Sequence, residues 1–135
     1  MSIVVDASAV LSSILRETGP AAVRLRSELG REAWIAPALW WFEVRNGLIV
    51  NERRGRSSEP LTAAALHELS RLATTIDSLP DDETLIALAR KHRLTVYDAA
   101  YLELAMRTGL PLATLDEPLA TAARAEGVPL VGESG

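Results

Sequence analysis

Apolar and polar positions follow two periods along this chain, one typical of strands and one typical of helices. Short apolar runs predict strands over residues 3–5, 33–36, 75–79, 112–115 and 128–131. Between them apolar residues recur three and four positions apart, which predicts helices over residues 7–15, 21–29, 38–53, 61–73, 80–93, 97–107 and 118–126. Gly30, Gly109 and Gly127 stand where helices are expected to end.

Strands that alternate with helices indicate a parallel sheet, because each return to the same end of the sheet needs a crossover connection. We therefore expect a single α/β domain over residues 1–135, in which helices cover both faces of a central, mostly parallel five-stranded sheet. Such a three-layer α/β/α sandwich binds ligands outside the carboxyl ends of its strands. Asp6 and Asp116 each follow a predicted strand, so both are expected at that end.

The composition is that of a globular protein and excludes several kinds of functional site. Hydrophobic residues make up 48% of the chain and charged residues 24%. The absence of cysteine excludes disulfides, thiolate metal sites and cysteine nucleophiles. No stretch has the length of a membrane span and the N-terminus lacks a signal-peptide pattern, so a cytoplasmic protein without membrane contact is expected. The net charge of −4 argues against a general nucleic-acid binder, unless local patches or bound cations reverse it.

Four carboxylates are candidates for chemistry, and each of them also has an ordinary structural alternative. Asp6 and Asp116 precede predicted helices and would serve as helix N-caps, while Asp98 lies three residues after Thr95, as in a capping box. Glu43 differs, because no basic residue lies three or four positions from it along its largely apolar helix. A buried carboxylate without a partner is costly, so either a cation or a distant arginine compensates Glu43, or it points out at the helix edge.

Two hydroxyl residues stand close to these acids in sequence. Ser8 comes two residues after Asp6, and Thr114 comes two residues before Asp116, which places Thr114 and Asp116 on the same side of an extended strand. Each is either a hydrogen-bond donor that supports the acids or an ordinary small polar residue.

Aromatic and basic residues along the third predicted helix have open roles. The pair Trp40 and Trp41 is suited to base stacking, partner binding or core packing, and packing of at least one is expected. Arg53, Arg54 and Arg56 form either an RNA-binding patch or, as the simpler interpretation, a solvated helix end.

The joint placement of the acids suggests a metal site. Two carboxylates at strand ends, one at a helix start and one within an apolar helix can converge above a parallel sheet. Like charges about 4 Å apart repel by roughly 1 kcal/mol in water and by several near a protein surface. Hard divalent cations such as Mg²⁺ and Mn²⁺ prefer oxygen ligands and would relieve that repulsion.

The segments that carry the acids resemble the four acidic motifs of the PIN domain, and more narrowly those of VapC toxins of type II toxin–antitoxin systems. They read "IVVDASAVLSSIL", "APALWWFEVRNGL", "LTVYDAAYLELA" and "LATLD". The similarity runs from Ile3 to about Val131, and "YDAAYLELA" is its most distinctive part.

This resemblance implies a PIN-like fold and an endoribonuclease, with a water activated at Mg²⁺ or Mn²⁺ attacking an RNA phosphodiester. It implies that Asp6 and Asp98 are the principal metal ligands, that Glu43 completes the site and that Asp116 binds a second metal or shapes the first. It also implies a homodimer, neutralised within a toxin–antitoxin assembly by a cognate VapB-type antitoxin whose tail covers the site. The RNA target, the antitoxin, the number of metals and the dimer surface stay open.

Two other functional classes remain as alternatives. One is a non-enzymatic α/β binding module in which the acids are helix caps. The other is a different metal-dependent phosphoryl-transfer enzyme, although an aspartyl phosphatase would have a second aspartate where Ser8 stands. A receiver-type domain would need a lysine after a late strand, and Lys91, the one lysine of the chain, lies before a helix end.

Overall fold

The computed structural model describes residues 2–133 of the chain. Its strands are β1 (Ser2–Val5), β2 (Ala33–Ala36), β3 (Thr74–Ile76) and β4 (Leu112–Ala113). Its helices are α1 (Ala7–Ile14), α2 (Pro20–Leu29), α3 (Leu39–Arg53), α4 (Glu59–Ser70), α5 (Asp82–His92), α6 (Val96–Thr108) and α7 (Glu117–Ala125). Strands and helices alternate, and the expected α/β class with a parallel sheet between helices is confirmed.

The sheet reverses its order of growth at β1. All four strands are parallel and lie in the order β3-β2-β1-β4, so the chain builds outward from β1 to β3 and then places β4 on the other side of β1. Val5 pairs with Ala113, so the residues that follow them, Asp6 and Thr114, leave the sheet side by side. A reversal of this kind is where open α/β sheets bind their ligands.

Strand β1 is apolar from its second residue onward, because both of its faces are covered there. Ile3, Val4 and Val5 are at most 2% exposed. Helix α1 packs against α2, α3 and α4, and helix α6 packs against α5 and α7. Within the described residues, no helix combines the length and the apolar character needed to cross a membrane.

Helix starts follow the expected capping chemistry. The side chains of Asp6, Thr95 and Asp116 accept the hydrogen bonds that begin α1, α6 and α7. The caps expected from Asp6 and Asp116 are therefore confirmed, and Thr95 caps α6 through the backbone N–H of Asp98.

Helices α1 and α3 approach closely at Gly47. A Cβ atom at this position would lie 2.2 Å from a terminal carbon of the Leu11 side chain. Glycine in a helix interior costs up to about 1 kcal/mol relative to alanine, so the close approach explains its presence. This packing fixes α3, and with it Glu43, relative to the start of α1.

The prediction of a full fifth strand over residues 128–131 is wrong. Leu130 forms only an isolated bridge with Leu112, supported by Leu112 N–H donating to Pro129 O and Val131 N–H donating to Leu112 O, each at 2.9 Å. Pro129 has no N–H to extend the ladder, and a turn begins at Val131. The sheet within residues 2–133 therefore has four strands.

Strand β3 and helix α4 also differ in their bounds from the expectation. The last ladder bond of β3 runs from Asp77 N–H to Ala36 O at 2.8 Å, and Leu79 beyond it is 87% exposed. Helix α4 begins at Glu59, because Ser58 caps it and Pro60 suits the first turn.

Candidate acidic site at the carboxyl end of the sheet

Asp6 is a buried carboxylate directly after β1, with 4% of its surface exposed. Its Oδ1 accepts the N–H of Ala9 at 2.9 Å and the hydroxyl of Ser8 at 2.7 Å, and its Oδ2 accepts the hydroxyl of Thr114. Burial raises the pKa of Asp6 to about 6, these three hydrogen bonds lower it, and the charge of Asp116 adds to the rise. Asp6 therefore resists ionisation more than an ordinary aspartate.

Ser8 and Thr114 connect Asp6 to the loop after β4. The Ser8 oxygen accepts the N–H of Leu115, and the Thr114 oxygen accepts the N–H of Asp116, both at 3.0 Å. Each hydroxyl thus donates to the carboxylate and accepts from the backbone. Together they hold the loop that carries Asp116 against Asp6.

Asp116 and Asp98 lie at the starts of neighbouring helices. Oδ2 of Asp116 accepts the N–H of Leu119 at 3.1 Å, and the N–H of Asp98 donates to the Thr95 hydroxyl at 3.1 Å. Burial raises the pKa of the half-buried Asp98 carboxyl, the charge of Asp116 raises it further, and Thr95 lowers it. These aspartates take part in helix capping and are electrostatic neighbours at the same time.

Glu43 reaches across from α3 to the core tyrosine of α6. The Tyr101 hydroxyl donates to Glu43 Oε1 at 2.5 Å. Burial raises the pKa of Glu43, the Tyr101 bond lowers it, and the charge of Asp98 raises it. The partner of Glu43 is therefore a buried phenol rather than an arginine.

Sequence reasoning missed the polar contact of Tyr101, which was expected only to pack. It does pack, at 1% exposed, while its hydroxyl meets Glu43, 58 positions away in sequence. Its spacing from Asp98 was an available signal, because residues three apart on a helix lie on one face.

The four carboxylates form a row of electrostatic neighbours. Asp6 is coupled to Asp116, Asp116 to Asp98, and Asp98 to Glu43. Within residues 2–133, no three Asp, Glu or His side chains are grouped so that they could hold a metal ion as they stand. The donor set, all carboxylates with mutual repulsion, fits a hard divalent cation in its chemistry, while its present rotamers satisfy internal hydrogen bonds.

The tryptophans of α3 have different environments. Trp40 is 4% exposed and belongs to the core, which confirms packing for one member of the pair. Trp41 is 46% exposed, and the Arg45 guanidinium stacks on its ring, 3.8 Å from the centroid. Arg53, Arg54 and Arg56 are exposed near the end of α3.

A cleft of about 260 Å³ borders the acidic site where Thr114 and Leu115 line it. Arg124, also on its wall, is paired with Glu117 at 3.1 Å and with Glu133 at 2.5 Å. Arg24 lines the same cleft, and its exposed guanidinium makes no ion pair with any described residue. Arg24 therefore offers a positive charge, unpaired among residues 2–133, in the cleft that adjoins Thr114 of the acidic site.

The sequence that forms this parallel sheet and its acidic site matches a known protein family. The sequence profile of the PIN domain covers residues 3–125. The chain belongs to the PIN domain family.

The curated relatives that match over most of the chain are VapC ribonucleases. Ribonuclease VapC3 of Mycobacterium tuberculosis is 38% identical over 122 residues, which cover 89% of this chain and 86% of the relative. Ribonuclease VapC3 of Pyrobaculum aerophilum is 37% identical over 124 residues, which cover 89% and 93% respectively. The chain is thus similar to VapC ribonucleases along nearly its whole length.

Solved structures support the same fold. PAE2754 from Pyrobaculum aerophilum superposes with a TM-score of 0.65 at 26% identity, covering 90% of this chain and 87% of that one. The Mycobacterium tuberculosis toxin VapC20, described as cleaving the sarcin–ricin loop, gives a TM-score of 0.63 at 13% identity, covering 89% and 94%. FitAcB from Neisseria gonorrhoeae gives 0.54 at 21% identity, covering 96% of each chain. The last two likenesses concern the fold alone.

Proposed function

We propose that this protein is a Mg²⁺- or Mn²⁺-dependent endoribonuclease and the toxin of a VapBC-type toxin–antitoxin system. The observation that carries the proposal is the row of coupled carboxylates, drawn from four separate segments to the carboxyl end of the sheet. Similarity to VapC ribonucleases over nearly the whole chain supports RNA as the substrate.

Asp6, Glu43, Asp98 and Asp116 would hold the metal once their side chains turn toward it. When bound, a divalent cation supplies an activated water and neutralises charge on the phosphate under attack. Burial raises the pKa values of Asp6, Glu43 and Asp98, and the charge of a neighbouring acid adds to each rise. A bound cation would favour the ionised carboxylates against both effects.

The residues around the acids have positioning and binding roles in this proposal. Ser8 and Thr114 hold the Asp6 carboxylate in place through its two oxygens. Arg24, on the wall of the neighbouring cleft, is placed to contact a phosphate of the flanking RNA. A local positive charge of this kind lets a chain with a net charge of −4 bind RNA.

The toxin role further implies partners. We propose a cytoplasmic homodimer whose activity is blocked by a VapB-type antitoxin, as the resemblance to VapC toxins implies. Light scattering of the purified protein tests the dimer, which requires twice the mass of one chain. Co-purification with the product of a small adjacent gene tests the antitoxin, and active protein that this product leaves uninhibited would contradict it.

RNA cleavage with and without metal tests the enzymatic proposal. Purified protein is incubated with labelled RNA in Mn²⁺, in Mg²⁺ and in EDTA, and RNA ends are sequenced. Cleavage is expected in either metal and none in EDTA. Asp98→Asn, which keeps the side-chain shape and the backbone bond to Thr95, should lower the rate by roughly 100-fold.

The matched control is Glu68→Gln, an exposed carboxylate on α4 that should cleave like the unaltered protein. Cleavage that continues in EDTA would show that the metal is not required. Full activity of Asp98→Asn would remove Asp98 from the site.

A binding module without enzymatic activity is the second candidate, because Asp6 and Asp116 do cap helices. In that case Mn²⁺ should bind nowhere near the acids. Calorimetric titration of the metal-free protein with Mn²⁺ separates the two functions: one saturable process lost in Asp98→Asn favours the nuclease.

A further inference from the structure

The Tyr101 hydroxyl joins two acid-bearing helices. It donates to Glu43 on α3, and the two oxygens lie 2.5 Å apart. Tyr101 itself lies three residues after Asp98 on α6, with its ring buried in the core. The phenol oxygen thus ties Glu43 to the helix that carries Asp98.

We propose that Tyr101 is a positioning residue that holds the Glu43 carboxylate toward the other acids, and this inference rests on the proposed metal-dependent function. The phenol has one proton to donate, and the structure directs it to Glu43 Oε1. Glu43 has no basic helical neighbour, and this bond is the side-chain hydrogen bond that the structure gives it. Groups that orient metal-binding side chains typically contribute 10- to 100-fold to metal affinity or activity.

A packing role and a positioning role depend on different parts of the Tyr101 side chain. The ring alone would fill the core equally well as phenylalanine, whereas the bond to Glu43 requires the hydroxyl. Tyr97, one turn earlier on α6, is the matched control, because it is 63% exposed and its hydroxyl bonds no described residue. Removing each hydroxyl in turn isolates the contact with Glu43.

Calorimetric titration with Mn²⁺ and RNA cleavage assays test Tyr101→Phe. We expect Mn²⁺ affinity about tenfold weaker than in the unaltered protein, and a lower kcat with the KM for RNA unchanged. Tyr97→Phe should change none of these quantities. In a Glu43→Gln background, Tyr101→Phe should have little further effect, because the group that it positions is already altered.

The inference would be overturned if Tyr101→Phe bound Mn²⁺ as tightly as the unaltered protein. It would also be overturned if the loss were the same in the Glu43→Gln background, because the tyrosine would then act without Glu43. A fall in melting temperature with unchanged Mn²⁺ affinity would assign Tyr101 to packing alone.

A measurement on the unaltered protein covers the case in which Tyr101→Phe does not fold. The chain contains two tyrosines, so tyrosine labelled with ¹³C at the ζ carbon gives two resonances, which Tyr97→Phe assigns. Saturating Mg²⁺ should shift the Tyr101 signal and leave the Tyr97 signal in place. An unmoved Tyr101 signal at saturation would refute the link to the metal site.

Failure of the inference and failure of the proposed function give different results. If the unaltered protein binds neither Mg²⁺ nor Mn²⁺, the metal-dependent function fails, and the role of Tyr101 fails with it. If the unaltered protein binds Mn²⁺ and cleaves RNA but Tyr101→Phe does both equally well, only the positioning role fails.

Discussion

At the scale of single residues, the candidate site contains a carboxylate whose charged form is unfavourable in the folded protein. Asp6 is nearly buried, and its internal hydrogen bonds only partly offset the loss of water. A group whose pKa rises on folding is destabilising once it ionises, so the ionised Asp6 carboxylate lowers the stability of the folded protein.

Asp6→Asn should therefore stabilise the metal-free protein at neutral pH. The pKa of Asp6 rises on folding from 3.8 to about 6, a difference worth on the order of 3 kcal/mol when the group is fully ionised. The penalty is absent well below pH 4, grows as the pH rises toward 6 and is constant above that. Urea unfolding in EDTA should show Asp6→Asn more stable by about 1–3 kcal/mol at pH 8, and by roughly half as much at pH 5.

Glu68→Gln serves as the reference variant, because this carboxylate is exposed and its substitution removes no buried charge. A stability difference for Asp6→Asn that is equal at pH 5 and pH 8 would show that the ionisation of Asp6 is not its source.

At the scale of elements, packing of α1 against α3 sets the distance between Asp6 and Glu43. Gly47→Ala adds a methyl group 2.2 Å from a Leu11 carbon, so Leu11 or the helix must shift. We expect a net loss of about 1 kcal/mol, because strain exceeds the helix propensity that alanine gains. Chemical denaturation measures the change.

The companion variant is Leu11→Ala, which removes the atoms in conflict. In that background Gly47→Ala should become stabilising by up to about 1 kcal/mol, since only the helix propensity remains. An identical effect of Gly47→Ala in both backgrounds would show that Leu11 is not the cause.

The sequence predicts helices and strands well where the local spacing of apolar residues determines them. It predicts them less well where contacts with residues distant in sequence determine them. The seven helices and the first two strands lie close to their expected places, because burial on one or both faces imposes the pattern. The strand expected over residues 112–115 ends early, at Ala113, so Thr114 and Asp116 lie beyond it and not on an extended strand. The expected strand at 128–131 fails, since apolar character does not reveal that Pro129 leaves the ladder incomplete. The contact of Tyr101 with Glu43 depends on how α3 meets α6, which no local pattern contains.

At the scale of the molecule, the fold brings the four acids at positions 6, 43, 98 and 116 to one end of the sheet. A cation shared among them would link α1, α3, α6 and α7 in the folded state only. Ligands that bind the folded state alone stabilise it, by about 2.7 kcal/mol at a concentration 100 times the Kd.

Mn²⁺ should therefore raise the melting temperature by several degrees, and EDTA should reverse the rise. The shift should disappear in the double variant Asp6→Asn with Asp98→Asn and should persist in Glu68→Gln. Differential scanning calorimetry at fixed pH makes the comparison. An equal shift in the double variant would place the stabilising ion elsewhere.

The position of β1 between β2 and β4 also bears on how the site assembles during folding. One edge of β1 pairs with residues 33–35, whereas its other edge pairs with residues 112–113, much farther along the chain. Asp6 meets Thr114 and the loop that carries Asp116 only when this second pairing is made. A partly folded chain in which β4 has not docked would thus lack the proposed nuclease centre, even with β1 and β2 already paired.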